Sequence, residues 1–139
     1  MSIHRLAFGS DILHCGTLRS CVQAFGKAEG YGGEFLEIVE LAVHEAFVNA
    51  VRHANGSDPA LPVSILLHAG RDGGSSFLQV EIADCGQGFT PVGPGEACGS
   101  GDVRKLSGRG LGMIFRGTES IRVEPRNGGS LLVLRYITS

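Results

Sequence analysis

Three short clusters in this chain have residue types and spacings suited to chemistry. The first lies on the stretch Glu40 to Ala54, ELAVHEAFVNAVRHA. Glu45 and Asn49 are four residues apart, so on a helix they are neighbours on one face. Arg52 and His53 continue the same stripe. An Asn amide oxygen can ligate Mg²⁺, a hard cation that takes oxygen ligands and keeps several waters. A carboxylate one turn earlier can orient or deprotonate an incoming hydroxyl or water. Arg52 or His53 can help to neutralise phosphate. At about 100° per residue, Asn49 points within roughly 20° of Ala42, and Glu45 and Arg52 sit within roughly 80° on the same side. Phe35, Val39, Ala46 and Ala50 share or border that side. An acid, an amide and two basic groups are therefore expected on the face that meets the core. Burying such groups unpaired is costly. Either protein neighbours satisfy them, or the helix edge grazes solvent, or a polar ligand and a metal complete them.

The second cluster is Asp84-Cys-Gly86-Gln-Gly88-Phe89. Here a carboxylate ends a strand, and glycines follow that let a flat group lie against the backbone. Asp84 can accept a hydrogen bond from an exocyclic amine such as that of adenine, or serve as an ordinary turn residue before glycine. The third cluster is Gly108-Arg109-Gly110-Leu111-Gly112, opening a helix. Free backbone N–H groups and the positive end of a helix dipole suit phosphate. Arg109 can add a charge-assisted bond to a terminal phosphate. A plain tight turn feeding a helix is the alternative.

The elements that must position these clusters can be read from periodicity. Ile3 to Phe8 alternates and fits a short strand. Leu13 to Lys27 is helical, with Leu18, Val22 and Phe25 as its apolar stripe, and Gly30-Tyr31-Gly32-Gly33 closes it. A long helix follows from about Glu34 to Ala54, ended by the turn chemistry of Asn55-Gly56-Ser57-Asp58-Pro59. Val63 to Ala69 and Ser76 to Ala83 read as two strands, joined by a hairpin with a longer loop. The stretch up to Ser107 shows no periodicity and reads as a functional or mobile loop. Gly110 to Glu119 reads as a short helix. Ile121–Val123 and Leu131–Ile137 read as strands around the turn Pro125 to Gly129. This order predicts a single α+β domain over 1–139, a two-layer α/β sandwich. Its sheet is expected to be mixed, mostly antiparallel, with the helices on one face.

Composition bounds the function. The chain has 139 residues, 42% hydrophobic and 19% charged, which suits one globular core. A net charge of −2 gives no general basic footprint for nucleic acid or an acidic membrane. No apolar run is long enough to span a bilayer, and MSIHRLAFGS lacks a signal-peptide core. A cytoplasmic protein is the expectation. The four cysteines, Cys15, Cys21, Cys85 and Cys98, match no zinc spacing. Glycine is the outlier at 22 residues, roughly twice the usual share. The glycines gather in the loops between predicted elements.

Taken in order, the clusters resemble one superfamily. Glu45-Ala-Phe-Val-Asn49 resembles its N-box, Asp84 to Phe89 its first glycine box and Gly108 to Gly112 its second. Asn127-Gly128-Gly129-Ser130 resembles its closing Gly-Gly-Thr element, with Ser in place of Thr. This is the ATPase superfamily of gyrase, histidine kinases and MutL, the Bergerat ATP-binding fold, and the resemblance covers nearly the whole chain. Neither a transducer domain nor, before Ile3, a dimerisation helix carrying a phosphorylatable His is expected. A free-standing domain with NAVRHA and GRGLGM is similar to the bacterial anti-sigma-factor serine/threonine kinases.

That resemblance implies ATP and Mg²⁺ as cofactors and a sigma factor and a small anti-anti-sigma antagonist protein as partners. A Ser or Thr of the antagonist would be phosphorylated. Glu45 would be the general base and Asn49 the Mg²⁺ ligand. Asp84 would contact the adenine amine, with Gly86 and Gly88 allowing close approach. Gly108, Gly110, Leu111 and Gly112 would bind phosphates through backbone N–H groups, with Arg109 assigned to the γ-phosphate. Ser130 would reach the adenine through its hydroxyl. Residues 90–107, with Asp102, Arg104 and Lys105 among their few charges, would form the ATP lid. A homodimer is an expectation by analogy. The alternative function is a nucleotide-gated binding module that holds a regulator with little or no kinase activity.

Overall fold

The structure is a computed structural model in which residues 1–85, 117–126 and 128–138 are described. The chain opens with strand β1 (Ser2–Gly9) and a short 3₁₀ turn, Ile12–His14, before helices α1 (Cys15–Ala28) and α2 (Gly33–Asn49). A π-helical turn, Ala50–Ala54, continues α2. Strands β2 (Pro62–Asp72), β3 (Ser75–Asp84), β4 (Ser120–Arg126) and β5 (Gly129–Thr138) complete the sheet.

The five strands run in the order β1-β2-β3-β5-β4. Every pairing among the described residues is antiparallel, where a mixed, mostly antiparallel sheet was expected. Hairpins join β2 to β3 and β4 to β5, and α1 and α2 fill the connection from β1 to β2, so no parallel crossover arises. Alternation decides which face is buried. Val63, Ile65, Leu67, Leu78, Val80, Ile82, Leu132 and Leu134 join Leu18, Val22, Val39, Val43 and Phe47 of the helices in one core.

The β2–β3 hairpin is tighter than its sequence suggested. Strand pairing continues to Asp72 and Ser75, leaving a two-residue Gly73-Gly74 turn. Both glycines take positive φ, 60° and 97°, as a turn matched to strand twist requires. β4 likewise runs on through Pro125, which faces Ser130. Proline is tolerated there because β4 is an edge strand. Of the helix expected over Gly110–Glu119, residues 117–119 are not helical and the remainder lies outside the described residues. No helix among the described residues is long and apolar enough to cross a membrane.

One core residue carries a cost. Tyr136 is fully buried, and its hydroxyl has no hydrogen-bond partner among the described residues. Burial pushes its phenol well above the ordinary range. An unsatisfied buried hydroxyl costs about 1–3 kcal/mol. Tyr136→Phe is therefore expected to raise unfolding stability by about 1 kcal/mol in urea titration. A loss of stability would mean that the hydroxyl has a partner.

Candidate functional site

Helix α2 carries two inward carboxylates with different surroundings. Glu40 is buried and satisfied, accepting from Arg19 Nε at 3.2 Å and from Gln23 Nε2 at 2.6 Å. These bonds tie α1 to α2, and Glu40 is spent on structure. Glu45, one turn and a half further on, is half-buried, and no described residue pairs with it. Asn49, the last α-helical residue, is 6% exposed, and no described residue hydrogen-bonds its amide. Among the described residues no protein neighbour satisfies Glu45 or Asn49, and the half-buried Glu45 also reaches solvent.

Immediately after Asn49 the helix widens. Asn55 N–H bonds the Ala50 carbonyl, five residues back, at 2.9 Å, and Ser57 N–H bonds that of Val51 at 2.7 Å. The chain then leaves through Gly56 and Ser57, both near φ 60°. Single π-turns of this kind are rare and are found frequently at functional sites. The widened turn breaks the 100° spacing. Arg52 and His53 are exposed, not on the core-facing side. Glu45 and Arg52 still share a neighbourhood around the half-buried Cys15. Burial raises that thiol's pKa, Arg52 and Arg19 oppose the rise and Glu45 adds to it.

The second part of the site lies where β3 and β5 meet. Asp84 ends β3, is 6% exposed and stands opposite Ser130 in the β3–β5 register. Ser130, also buried, donates its backbone N–H to Asp84 Oδ1 at 3.2 Å. Gly129 makes this approach possible. A Cβ at that position would lie 1.9 Å from the Asp84 carbonyl oxygen, so a side chain cannot be accommodated. The carboxylate and hydroxyl residues assigned to the adenine are therefore adjacent, although 46 positions apart in the chain.

The two parts are joined. The π-turn packs against β3. Asn55, 3% exposed, accepts from the Cys85 N–H at 3.0 Å, and its Nδ2 donates to Ser10 Oγ at 2.8 Å and to the Pro62 carbonyl at 3.1 Å. Sequence reading treated Asn55 only as turn chemistry. Its place directly behind the polar helix and before Gly56 was the available signal, since a buried Asn at a helix exit has a full set of bonds to offer.

Gly86, Gly88, Gly108, Arg109, Gly110, Leu111 and Gly112 lie outside the described residues, as do the lid assignment over 90–107 and Cys98. Among the described residues no three His, Cys, Asp or Glu side chains converge as a metal-binding group. The oxygen donors fit a different kind of cation. The amide oxygen of Asn49, a residue 6% exposed with no described hydrogen-bond partner, suits Mg²⁺, which takes few protein ligands and leaves the rest to water and phosphate. A groove on the helix-free sheet face, between Arg5, Leu66, Glu81 and Arg126, contains none of these residues.

Comparison with known proteins agrees with this fold. The family described as histidine kinase-like ATPase domain matches residues 8–136. The serine-protein kinase RsbW of Bacillus subtilis is 30% identical over 132 residues, covering 89% of this chain and 79% of that protein. The serine-protein kinase RsbW of Listeria innocua is 24% identical over 125 residues, covering 86% and 77%. Among solved structures, the RsbU and RsbW domains of Rv1364c from Mycobacterium tuberculosis match all of this chain with a TM-score of 0.63 at 15% identity. The match takes in 33% of that chain, and at this identity it speaks for the fold. With the profile running almost end to end, this chain belongs to the histidine kinase-like ATPase domains of the Bergerat fold and, within them, to the anti-sigma-factor serine/threonine kinase family.

Proposed function

We propose that this chain is an ATP-dependent serine/threonine protein kinase that acts as an anti-sigma, partner-switching regulator and phosphorylates a small antagonist protein. The supporting observation is the contrast on α2: Glu40 is held by Arg19 and Gln23, whereas Glu45 and the buried Asn49 have no described partner. An acid and an amide one turn apart with no partner among the described residues are available to a polar ligand. The relatives named as serine-protein kinases support the same reading.

In this reading Asp84 accepts from the exocyclic amine of adenine and Ser130 reaches the base with its hydroxyl. Asn49 holds Mg²⁺, which when bound neutralises charge on the triphosphate. Arg52 adds positive charge at the helix end, with His53 beside it to contact phosphate. Gly86 and Gly88 give the base its close approach. Gly108, Gly110, Leu111 and Gly112 hold phosphate through main-chain N–H groups, with Arg109 at the γ-phosphate. Glu45 accepts the proton of the antagonist's hydroxyl. Phosphoryl transfer of this kind is mostly positioning and charge neutralisation. The sigma factor is the partner held, and the antagonist is the partner modified.

Incubation of the purified protein with γ-labelled ATP and a candidate small antagonist tests the proposal. Label is expected on a Ser or Thr of the antagonist. ATP binding and complex formation without label on any bound antagonist would identify a nucleotide-gated binding module instead.

A further inference from the structure

Asn55 belongs to none of the motifs above, yet every polar atom of its side chain is used inside the protein. Its Oδ1 accepts from the Cys85 N–H at 3.0 Å, and Cys85 directly follows Asp84. Its Nδ2 donates to Ser10 Oγ at 2.8 Å and to the Pro62 carbonyl at 3.1 Å. Its own N–H closes the π-turn on Ala50 at 2.9 Å. One residue therefore links the end of the helix carrying Glu45 and Asn49 to the main chain that carries Asp84. The Ser10 hydroxyl passes the contact on to the Leu61 carbonyl, anchoring the same knot to the start of β2.

We infer that Asn55 is a positioning residue for nucleotide recognition: through the Cys85 N–H it sets where the Asp84 carboxylate stands relative to Asn49, and so governs selectivity for adenine. This rests on the nucleotide reading above. Asp84 already has one oxygen directed by the Ser130 N–H. That bond holds the carboxylate from the β5 side, and the Asn55–Cys85 bond holds the following peptide from the helix side. A donor–acceptor pair with adenine is lost with a displacement of a few tenths of an ångström beyond bonding range. Asn55 touches no nucleotide in this scheme; it acts through the strand end.

The Asn55 side chain also stabilises the fold, so the test separates the two roles. Asn55→Ala removes all three side-chain bonds. Asn55→Asp keeps the acceptor for Cys85 but sets a carboxylate oxygen against the Pro62 carbonyl, and so loses stability while keeping the link. Ser10→Ala removes the two bonds of the Ser10 hydroxyl, from Asn55 and to the Leu61 carbonyl, and leaves the Asn55–Cys85 bond in place. Each variant is melted by circular dichroism. Binding of Mg–ATP and Mg–GTP is then measured by calorimetry at a temperature where the variant is folded. Should Asn55→Ala not fold, Asn55→Ser, too short to reach the Cys85 N–H, replaces it.

The expected result is a fall of about tenfold in the ATP-to-GTP affinity ratio for Asn55→Ala, the size of one lost hydrogen bond. The ratio is expected to stay at the wild-type value for Asn55→Asp and Ser10→Ala, whatever their melting temperatures. A ratio that follows melting temperature across the three variants, or one unchanged in Asn55→Ala, overturns the positioning role and leaves the nucleotide site standing. A wild-type protein that binds no ATP, or does not prefer it to GTP, overturns the adenine reading and this inference with it.

Discussion

Asn49→Ala is expected to abolish Mg–ATP binding while leaving the fold intact. The two halves of that expectation come from one observation. The Asn49 side chain is buried at the end of α2, and no described residue hydrogen-bonds its amide. Deleting it therefore breaks no hydrogen bond among the described residues, and the change in stability should stay within about 1 kcal/mol, below the cost of leaving a buried partner unsatisfied. Deleting it also removes the protein oxygen assigned to the metal. Without that ligand the triphosphate loses its charge neutralisation, and affinity should fall by at least about a hundredfold, the upper range of effects seen when a metal site is weakened. Calorimetry with Mg–ATP and a thermal melt decide the matter together. Normal affinity removes Asn49 from the site. A large loss of stability with normal affinity would make Asn49 a structural residue.

Glu45→Ala is expected to give the opposite pattern of binding and turnover. Glu45 is half-buried with no described partner, on the same face as Asn49 and one turn before it. As the base for an incoming hydroxyl it contributes only when the proton moves. Nucleotide affinity should then stay near the wild-type value, while transfer slows by about 10²–10⁴-fold, the usual contribution of a positioned general base. Glu45→Gln, which keeps the shape and loses the basicity, should be slowed to a similar degree. Single-turnover transfer from labelled ATP to the antagonist gives the rate. An unchanged rate removes Glu45 from the mechanism. A rate restored by Gln alone would mean that the residue positions the hydroxyl and does not take its proton.

How much of this was legible beforehand depends on the range of the interactions involved. The strands were legible because alternation is local: Val63, Ile65 and Leu67 need only a sheet and a core to declare which way they face. The pair Glu45 and Asn49 was legible for the same reason, since i, i+4 spacing is a property of one helix. Arg52 and His53 were misdirected because the π-turn after Asn49 depends on Asn55, which is anchored by Ser10, Pro62 and Cys85 from three other segments. No window of sequence around residue 52 contains those anchors. Glu40 shows the converse. Its sequence position gave it no role, and only the arrival of Arg19 and Gln23 from α1 shows what it does. The adjacency of Asp84 and Ser130 likewise depends on the register of two strands distant in the chain. The ordered motifs indicated that adjacency only through resemblance.

The contact at Gly129 also bears on how such a domain can change over generations. The obstacle to a side chain there is the carbonyl oxygen of Asp84, a main-chain atom that no exchange of side chains elsewhere can remove. Ser130 can be traded for another hydroxyl-bearing residue in one step and keep its role. Position 129 has no such neighbouring option. Any lineage that abandons the glycine must first give up the strand pairing that sets Asp84 beside Ser130.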